Sequence, residues 1–371
     1  MSALLERALV GVRTLEPYQP GKPIEELERE LGISDIIKLA SNENPLGASP
    51  RVRPAIEAAL KDVGLYPDGN GVRLKQKLAR LHAIDAARIV LGNGSNDVLE
   101  LVARTFLGPG RIALFSEFAF AVYPLASQAT GAELRIAPAQ PMASSQPLGH
   151  DLNALAAALR PDVGVVFIAN PNNPTGTWLE PGALEGFVSR VSPQTVVVLD
   201  EAYTEYMDPG TRPDSRAWLE QYPNLVLTRT FSKVYGLAAL RIGYALASTE
   251  IADLLNRVRQ PFNVNSLALA AAETALDDQT HVTRSVALNT QGLHQLQQGL
   301  RALGLKTLPS QANFITVDMR RPGVPLFQAL LRKGVIVRPL ASYKMPDFLR
   351  ITVGTEAQNT RCLSALAEVL K

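Results

Sequence analysis

Three apolar runs in the middle of the chain end in polar side chains with chemistry to offer. The run at 163–169 leads into Asn170-Pro171-Asn172-Asn173-Pro174-Thr175-Gly176. The run at 195–199 ends in Asp200-Glu201-Ala202-Tyr203, and that at 225–230 in Phe231-Ser232-Lys233. A lysine amine is a nucleophile, a carboxylate pairs with a cation, and a phenol or amide hydrogen-bonds an oxyanion. Each residue alone has a plainer reading: a surface charge for Lys233, a helix N-cap for Asp200, a turn for Asn173 and Tyr203. In open α/β sheets, however, ligands bind outside the carboxyl ends of the strands. Asn173, Asp200, Tyr203 and Lys233 are therefore expected to converge on one crevice.

A fourth run, 89–91, opens into Gly92-Asn93-Gly94-Ser95-Asn96-Asp97 ahead of a helical pattern starting at Val98. Free backbone N–H groups and the helix dipole favour a phosphate at such a turn. An ordinary N-cap at Ser95, Asn96 or Asp97 accounts for the same residues. The turn departs from G-x-G-x-x-G at its sixth position, Asp97, and no G-x-x-x-x-G-K-[ST] occurs, so a dinucleotide enzyme and a P-loop NTPase both lose ground. One cofactor uses a lysine, an aspartate, a tyrosine, an asparagine and a phosphate cradle together: pyridoxal 5'-phosphate. Lys233 would make the Schiff base. Asp200 would keep the pyridine nitrogen protonated, an ion pair that at about 4 Å gains on the order of 4 kcal/mol before desolvation. Tyr203 and Asn173 would hydrogen-bond the ring's phenolic oxygen.

The elements that must carry these residues are legible as pattern. Runs at 89–91, 111–115, 163–169, 195–199, 225–230 and 242–246 are β-rich. Several are continuously apolar, as strands buried on both faces are. Helical stretches such as 179–191 lie between them, which predicts an α/β domain with a mostly parallel central sheet. From about residue 265 the texture changes to a long Ala/Leu/Gln-rich helical region at 266–303. Strand-like runs at 313–317, 334–338 and 348–353 and a closing helix at 356–370 follow, which together read as a smaller α+β domain. The expected divisions are an N-terminal arm at 1–35 packing with the small domain, a large domain at 36–265 and a small domain at 266–371. Pro17, Pro20 and Pro23 keep the arm from forming a long helix, and 138–150 reads as a surface loop.

Composition excludes other classes. In 371 residues, 46% are hydrophobic and 19% charged, an ordinary globular mix. The net charge is +2 and no basic run exceeds Arg320-Arg321, against a nucleic-acid partner. The single cysteine, Cys362, and four scattered histidines offer neither an intrachain disulfide nor metal-ligand spacing. The start lacks a signal-peptide core, and no apolar run approaches the roughly 20 residues of a membrane span. A cytoplasmic enzyme without a metal is expected.

The motifs at 170–176 and 200–203, with Thr230-Phe231-Ser232-Lys233-Val234-Tyr235-Gly236-Leu237-Ala238-Ala239-Leu240-Arg241-Ile242-Gly243, resemble the signature of fold-type I pyridoxal-phosphate aminotransferases. Thr14-Leu15-Glu16-Pro17-Tyr18, Ser41-Asn42-Glu43-Asn44-Pro45-Leu46-Gly47, Tyr66-Pro67-Asp68-Gly69, Arg338-Pro339 and Arg350-Ile351-Thr352-Val353-Gly354 extend the likeness to histidinol-phosphate aminotransferases, over nearly the whole chain. The resemblance implies that Lys233 carries the cofactor and shuttles the proton, and that Asp200, Tyr203 and Asn173 hold the ring. Ser95, Asn96, Ser232 and Arg241 would hold the phosphate. Phe120 would stack on the ring, where many relatives have a tyrosine; Ala239 likewise replaces a common glycine. It implies a homodimer with shared sites, in which Tyr66 reaches the neighbouring subunit's phosphate. Arg350 would bind an anionic substrate group, with Arg338, Tyr18 and Asn42 lining the substrate pocket. The implied reaction joins a small-molecule amino donor and a 2-oxo acid, histidinol phosphate and 2-oxoglutarate, in histidine biosynthesis. The rival readings are an aromatic or broad-range aminotransferase and, further off, a pyridoxal-phosphate decarboxylase.

Overall fold

The computed structural model describes residues 3–17 and 21–371. Tyr18, expected in the substrate pocket, lies outside the described residues.

The large sheet has seven strands: β1 (Ile89–Gly92), β2 (Ile112–Ser116), β3 (Glu133–Ala137), β4 (Val163–Ala169), β5 (Val196–Asp200), β6 (Leu225–Thr230) and β7 (Gly243–Leu246). Their spatial order is β1-β7-β6-β5-β4-β2-β3. The pairings β3/β2, β2/β4, β4/β5 and β5/β6 are parallel, and β7 runs antiparallel to both its neighbours. Successive residues of a strand enter opposite layers. Val197, Leu199 and Leu227 join one apolar cluster, while Val196, Val198 and Val226 join the other. Helices cover both faces, so the central strands are apolar without alternation. β3 was not expected from the sequence. It is an edge strand, half exposed, and its pattern lacks the apolar run that marks the others.

The smaller sheet comprises β8 (Lys306–Thr307), β9 (Phe314–Asp318), β10 (Arg338–Pro339) and β11 (Phe348–Thr352), in the order β10-β11-β9-β8 and wholly antiparallel. The strand expected at 334–338 is split. Val335–Ile336 pairs in parallel with Ile37–Lys38, and only β10 joins the small sheet. The helical region expected at 266–303 breaks between Ser266–Leu276 and Gln279–Ala302, where Asp278 caps the second helix by accepting from His281 N. The first of these helices packs its alanines and leucines into the same cluster as the large sheet. The break expected between residues 265 and 266 therefore does not separate the two cores. Leu293, Leu296 and Leu300 of the second helix are the first residues of this region to join the small-sheet cluster.

The N-terminal segment attaches at two places. Leu27, on the helix Ile24–Leu31, packs with Leu331 and Ile336 beside the small sheet, whereas the short helix Val10–Arg13 lies against the helix Val122–Ala129 of the large domain. Among the described residues no helix is long and apolar enough to cross a membrane.

Candidate active site

The carboxyl ends of β4, β5 and β6 open onto one cavity of about 450 Å³. Ser95, Asn96, Phe120, Asn173, Asp200, Tyr203, Ser232, Lys233, Arg241, Asn42 and Arg350 all line it. They come from the large sheet, the segment near residue 42 and the small sheet, so the cavity exists only where the two layers meet.

Asp200 ends β5 and is 4% exposed. Tyr123 Oη donates to its Oδ2 at 2.9 Å and Thr228 Oγ1 to its Oδ1 at 3.1 Å. Burial pushes the carboxyl up from its ordinary range, and the Tyr123 and Thr228 bonds pull the other way. The next residue, Glu201, turns to the opposite side and pairs with Arg229 at 2.7 Å. Asp200 thus faces the cavity, which Glu43 and Glu100 also line.

Lys233 follows β6 and reaches back over the ring of Tyr203, its Nζ 5.7 Å from the centroid and donating to Ser41 O at 3.2 Å. Burial first, and the charge of Arg350 second, lower its amine from the ordinary lysine range to about 8. At pH 7.5 a pKa of 8 leaves about a quarter of the amine as free base, against about one part in a thousand at 10.5. The site thus provides a nucleophile at neutral pH. Burial holds the Tyr203 phenol well above its ordinary value, so it remains a proton donor.

At the other end, Arg241 Nη1 donates to Ser232 Oγ at 3.1 Å and to Ala238 O at 2.9 Å. The helix Ser95–Phe106 starts behind Gly94 with no side-chain cap, so the capping reading of Ser95 or Asn96 does not hold. Its first backbone N–H groups are left for a ligand. Gly94 has φ +84°, and a Cβ there would collide with the Arg241 guanidinium. Hydroxyls, amide donors, a helix start and an arginine therefore surround one end of the cavity, a set that suits a phosphate.

Arg350, on β11, donates to Asn173 Oδ1 at 2.5 Å and to Ala40 O at 2.7 Å. With Oδ1 so engaged, the Asn173 amide has its Nδ2 to offer. Phe120 borders the cavity and meets Tyr123 edge-on at 5.8 Å.

Two expected residues lie elsewhere in this chain. Arg338 sits directly across from Arg350 in the β10/β11 pair and is buried. It borders neighbouring clefts, one of them with Thr14, Leu15, Glu16 and Pro17, rather than this cavity. Tyr66 is 82% exposed and stacked on Phe262, 4.7 Å between centroids. Sequence reasoning missed Tyr123 and Thr228. Thr228 is the register partner of Asp200, but strand register is not written in the sequence. Tyr123 stands three residues after Phe120, within a segment read only for its stacking ring.

Comparison with known proteins adds three findings. Residues 34–366 match the family model for aminotransferase class I and II. The chain is 57% identical to "Histidinol-phosphate aminotransferase 2" of Pseudomonas aeruginosa, covering 100% of this chain and 99% of that protein. It is 55% identical to the protein of that name from Pseudomonas fluorescens (strain Pf0-1), covering 99% and 98%. Among solved structures it superposes on histidinol-phosphate aminotransferase from Sinorhizobium meliloti in complex with pyridoxal-5'-phosphate. The TM-score is 0.88, at 28% identity over 98% of this chain and 97% of that one.

Proposed function

The chain belongs to the class I and II aminotransferases, and from that premise we propose that it passes an amino group between the glutamate/2-oxoglutarate pair and the histidinol phosphate/3-(imidazol-4-yl)-2-oxopropyl phosphate pair, in histidine biosynthesis. The observation that carries the reading is one cavity holding a part-neutral lysine, a buried carboxylate and two separate arginines. It is supported by full-length identity of 57% to a protein named for this activity.

The residues present fit pyridoxal 5'-phosphate. A buried carboxylate held by two neutral hydroxyls calls for a cationic partner, which a protonated pyridine nitrogen is. Ser95, Asn96, Ser232 and Arg241 would hold the phosphate, Asn173 and Tyr203 the phenolic oxygen, and Phe120 the ring face. When bound, the cofactor supplies an aldehyde that takes up the amino group and a ring that withdraws electrons from the substrate α-carbon.

The chain's own groups do the rest. Lys233 Nζ would hold the cofactor through its aldehyde and, when free, would move a proton at the substrate α-carbon. Asp200 would stabilise positive charge at the ring nitrogen. Arg350 binds the anionic end of each substrate, phosphate in one half-reaction and carboxylate in the other, through charge-assisted hydrogen bonds. Arg338 lies across from Arg350 on the neighbouring strand but borders the adjoining clefts, so Arg350 is the arginine assigned to this anion.

Tyr66 is assigned to the neighbouring subunit's site, within a homodimer. Its exposure, with Leu60, Val63, Leu65 and Phe262 also exposed, supports an interface at this face. A cytoplasmic location fits the same reading.

The test is a kcat/KM comparison on purified protein with 2-oxoglutarate. Histidinol phosphate should exceed histidinol by at least about a hundredfold, since histidinol lacks the anion with which the cavity's arginines would form charge-assisted hydrogen bonds. Equal values, or efficient turnover of phenylalanine, would replace this substrate with an aromatic one on the same scaffold.

A further inference from the structure

Thr352 does not border the cavity, yet it governs a group that does. It is 3% exposed and lies two residues beyond Arg350 on β11, on the same face of the strand. Its Oγ1 accepts from the backbone N–H of Asn42 at 2.9 Å, and donates to Asn42 Oδ1 at 3.1 Å. Asn42 Nδ2 then donates to Tyr203 Oη at 2.9 Å. Asn42 has φ +57°, a left-handed conformation that asparagine tolerates better than most residues.

The hydrogen bonds of this chain run in one consistent direction. A backbone N–H can only donate, so Thr352 Oγ1 must accept it and turn its own hydrogen elsewhere. That hydrogen goes to Asn42 Oδ1. The amide of Asn42 is thereby held with its nitrogen toward Tyr203, and the phenol oxygen accepts. The Tyr203 hydrogen is left free to point into the cavity. Without the hydroxyl at 352, nothing in the chain opposes rotation of the Asn42 amide by half a turn. Oδ1 would then face Tyr203 and accept the phenolic hydrogen, drawing it away from the cavity.

We infer that Thr352 is a positioning residue that orients the Tyr203 hydroxyl toward the cofactor through Asn42. The inference rests on the cofactor assignment proposed above. A Tyr203 hydroxyl donating to the ring's phenolic oxygen competes with Lys233 Nζ–H for that oxygen. Turning the hydroxyl away therefore makes Lys233 Nζ hold its proton more tightly.

The experiment titrates the visible absorbance of the pyridoxal-phosphate-loaded enzyme with pH, for wild type, Thr352→Val and Thr352→Ser. Thr352→Val keeps the shape and loses the hydroxyl. Its midpoint should rise by about 1 pH unit, a tenfold gain in proton affinity. Thr352→Ser restores the hydroxyl and should return the midpoint to that of wild type. The charged groups that act on Lys233, namely Arg350, Glu43, Arg241 and Asp200, are untouched by both changes. Should Thr352→Val fail to fold, Thr352→Ala removes the same oxygen without adding bulk and carries the same expectation. An unchanged midpoint in the hydroxyl-free variant would overturn the inference and leave the cofactor assignment standing. A wild-type enzyme that takes up no visible chromophore would overturn the assignment itself, and the inference with it, while a band that titrates in neither wild type nor the hydroxyl-free variant would overturn the inference alone.

Discussion

Replacing Lys233 by methionine should stabilise the cofactor-free protein at neutral pH, and the gain should fade as the solution becomes alkaline. Burial chiefly, and then the charge of Arg350, lower the folded amine from the ordinary lysine value of 10.5 to about 8. Between these two values the unfolded chain binds the extra proton, so wild-type stability rises with pH through that window. A 2.5-unit shift corresponds to about 3.4 kcal/mol over the full window, and to about 2 kcal/mol between pH 7.5 and 9.5. Lys233 keeps some solvent contact at the cavity wall, so screening reduces the expected difference to between about 1 and 2 kcal/mol. The assay is urea unfolding of both cofactor-free proteins at the two pH values. Other groups titrating in this range cancel in the comparison. The slope of stability against pH should be flatter in Lys233→Met by that amount. Equal slopes would mean that the amine is not desolvated as the structure has it, and the case for a ready nucleophile would fall.

Three further outcomes follow from the same site. Arg350→Ala should lower kcat/KM in both half-reactions by roughly one to two powers of ten, the equivalent of about 1.5–3 kcal/mol for a charged hydrogen bond; a loss confined to one substrate pair would assign the anion to another residue. Mixing Lys233→Ala with Tyr66→Phe should restore activity through heterodimers with one unmutated site, and a fully active monomer by sedimentation would refute shared sites. Tyr123→Phe should weaken cofactor retention several-fold, measured by equilibrium dialysis, because Asp200 loses a donor that stabilises its charge; unchanged retention would make Tyr123 a packing residue.

What could be read from the sequence was governed by burial and proximity along the chain. β4 and β5 are apolar and buried on both faces, and β6 opens with the buried run Leu225-Val226-Leu227, so the ends of these strands marked Asn173, Asp200 and Lys233. β3, at the sheet edge, had no such run. The segment at 334–338 read as one strand because its residues are uniformly β-forming. The structure divides it between two sheets because its partners, Ile37–Lys38 and Leu349–Arg350, arrive from different parts of the chain. The same limit hid Thr228, Tyr123 and Thr352, whose roles arise from register and hydrogen bonds across 28, 77 and 310 residues. Residues carrying recognisable motifs were found; residues that hold those in place were not.

The central claim is that Lys233 is the group to which the cofactor is joined within this cavity. Borohydride reduction of the yellow, pyridoxal-phosphate-loaded enzyme, followed by peptide mapping, tests it most directly. Reduction should abolish the visible band and leave a pyridoxyl group on the single peptide that contains Lys233. A label on any other lysine, or a protein that binds no chromophore, would contradict the account.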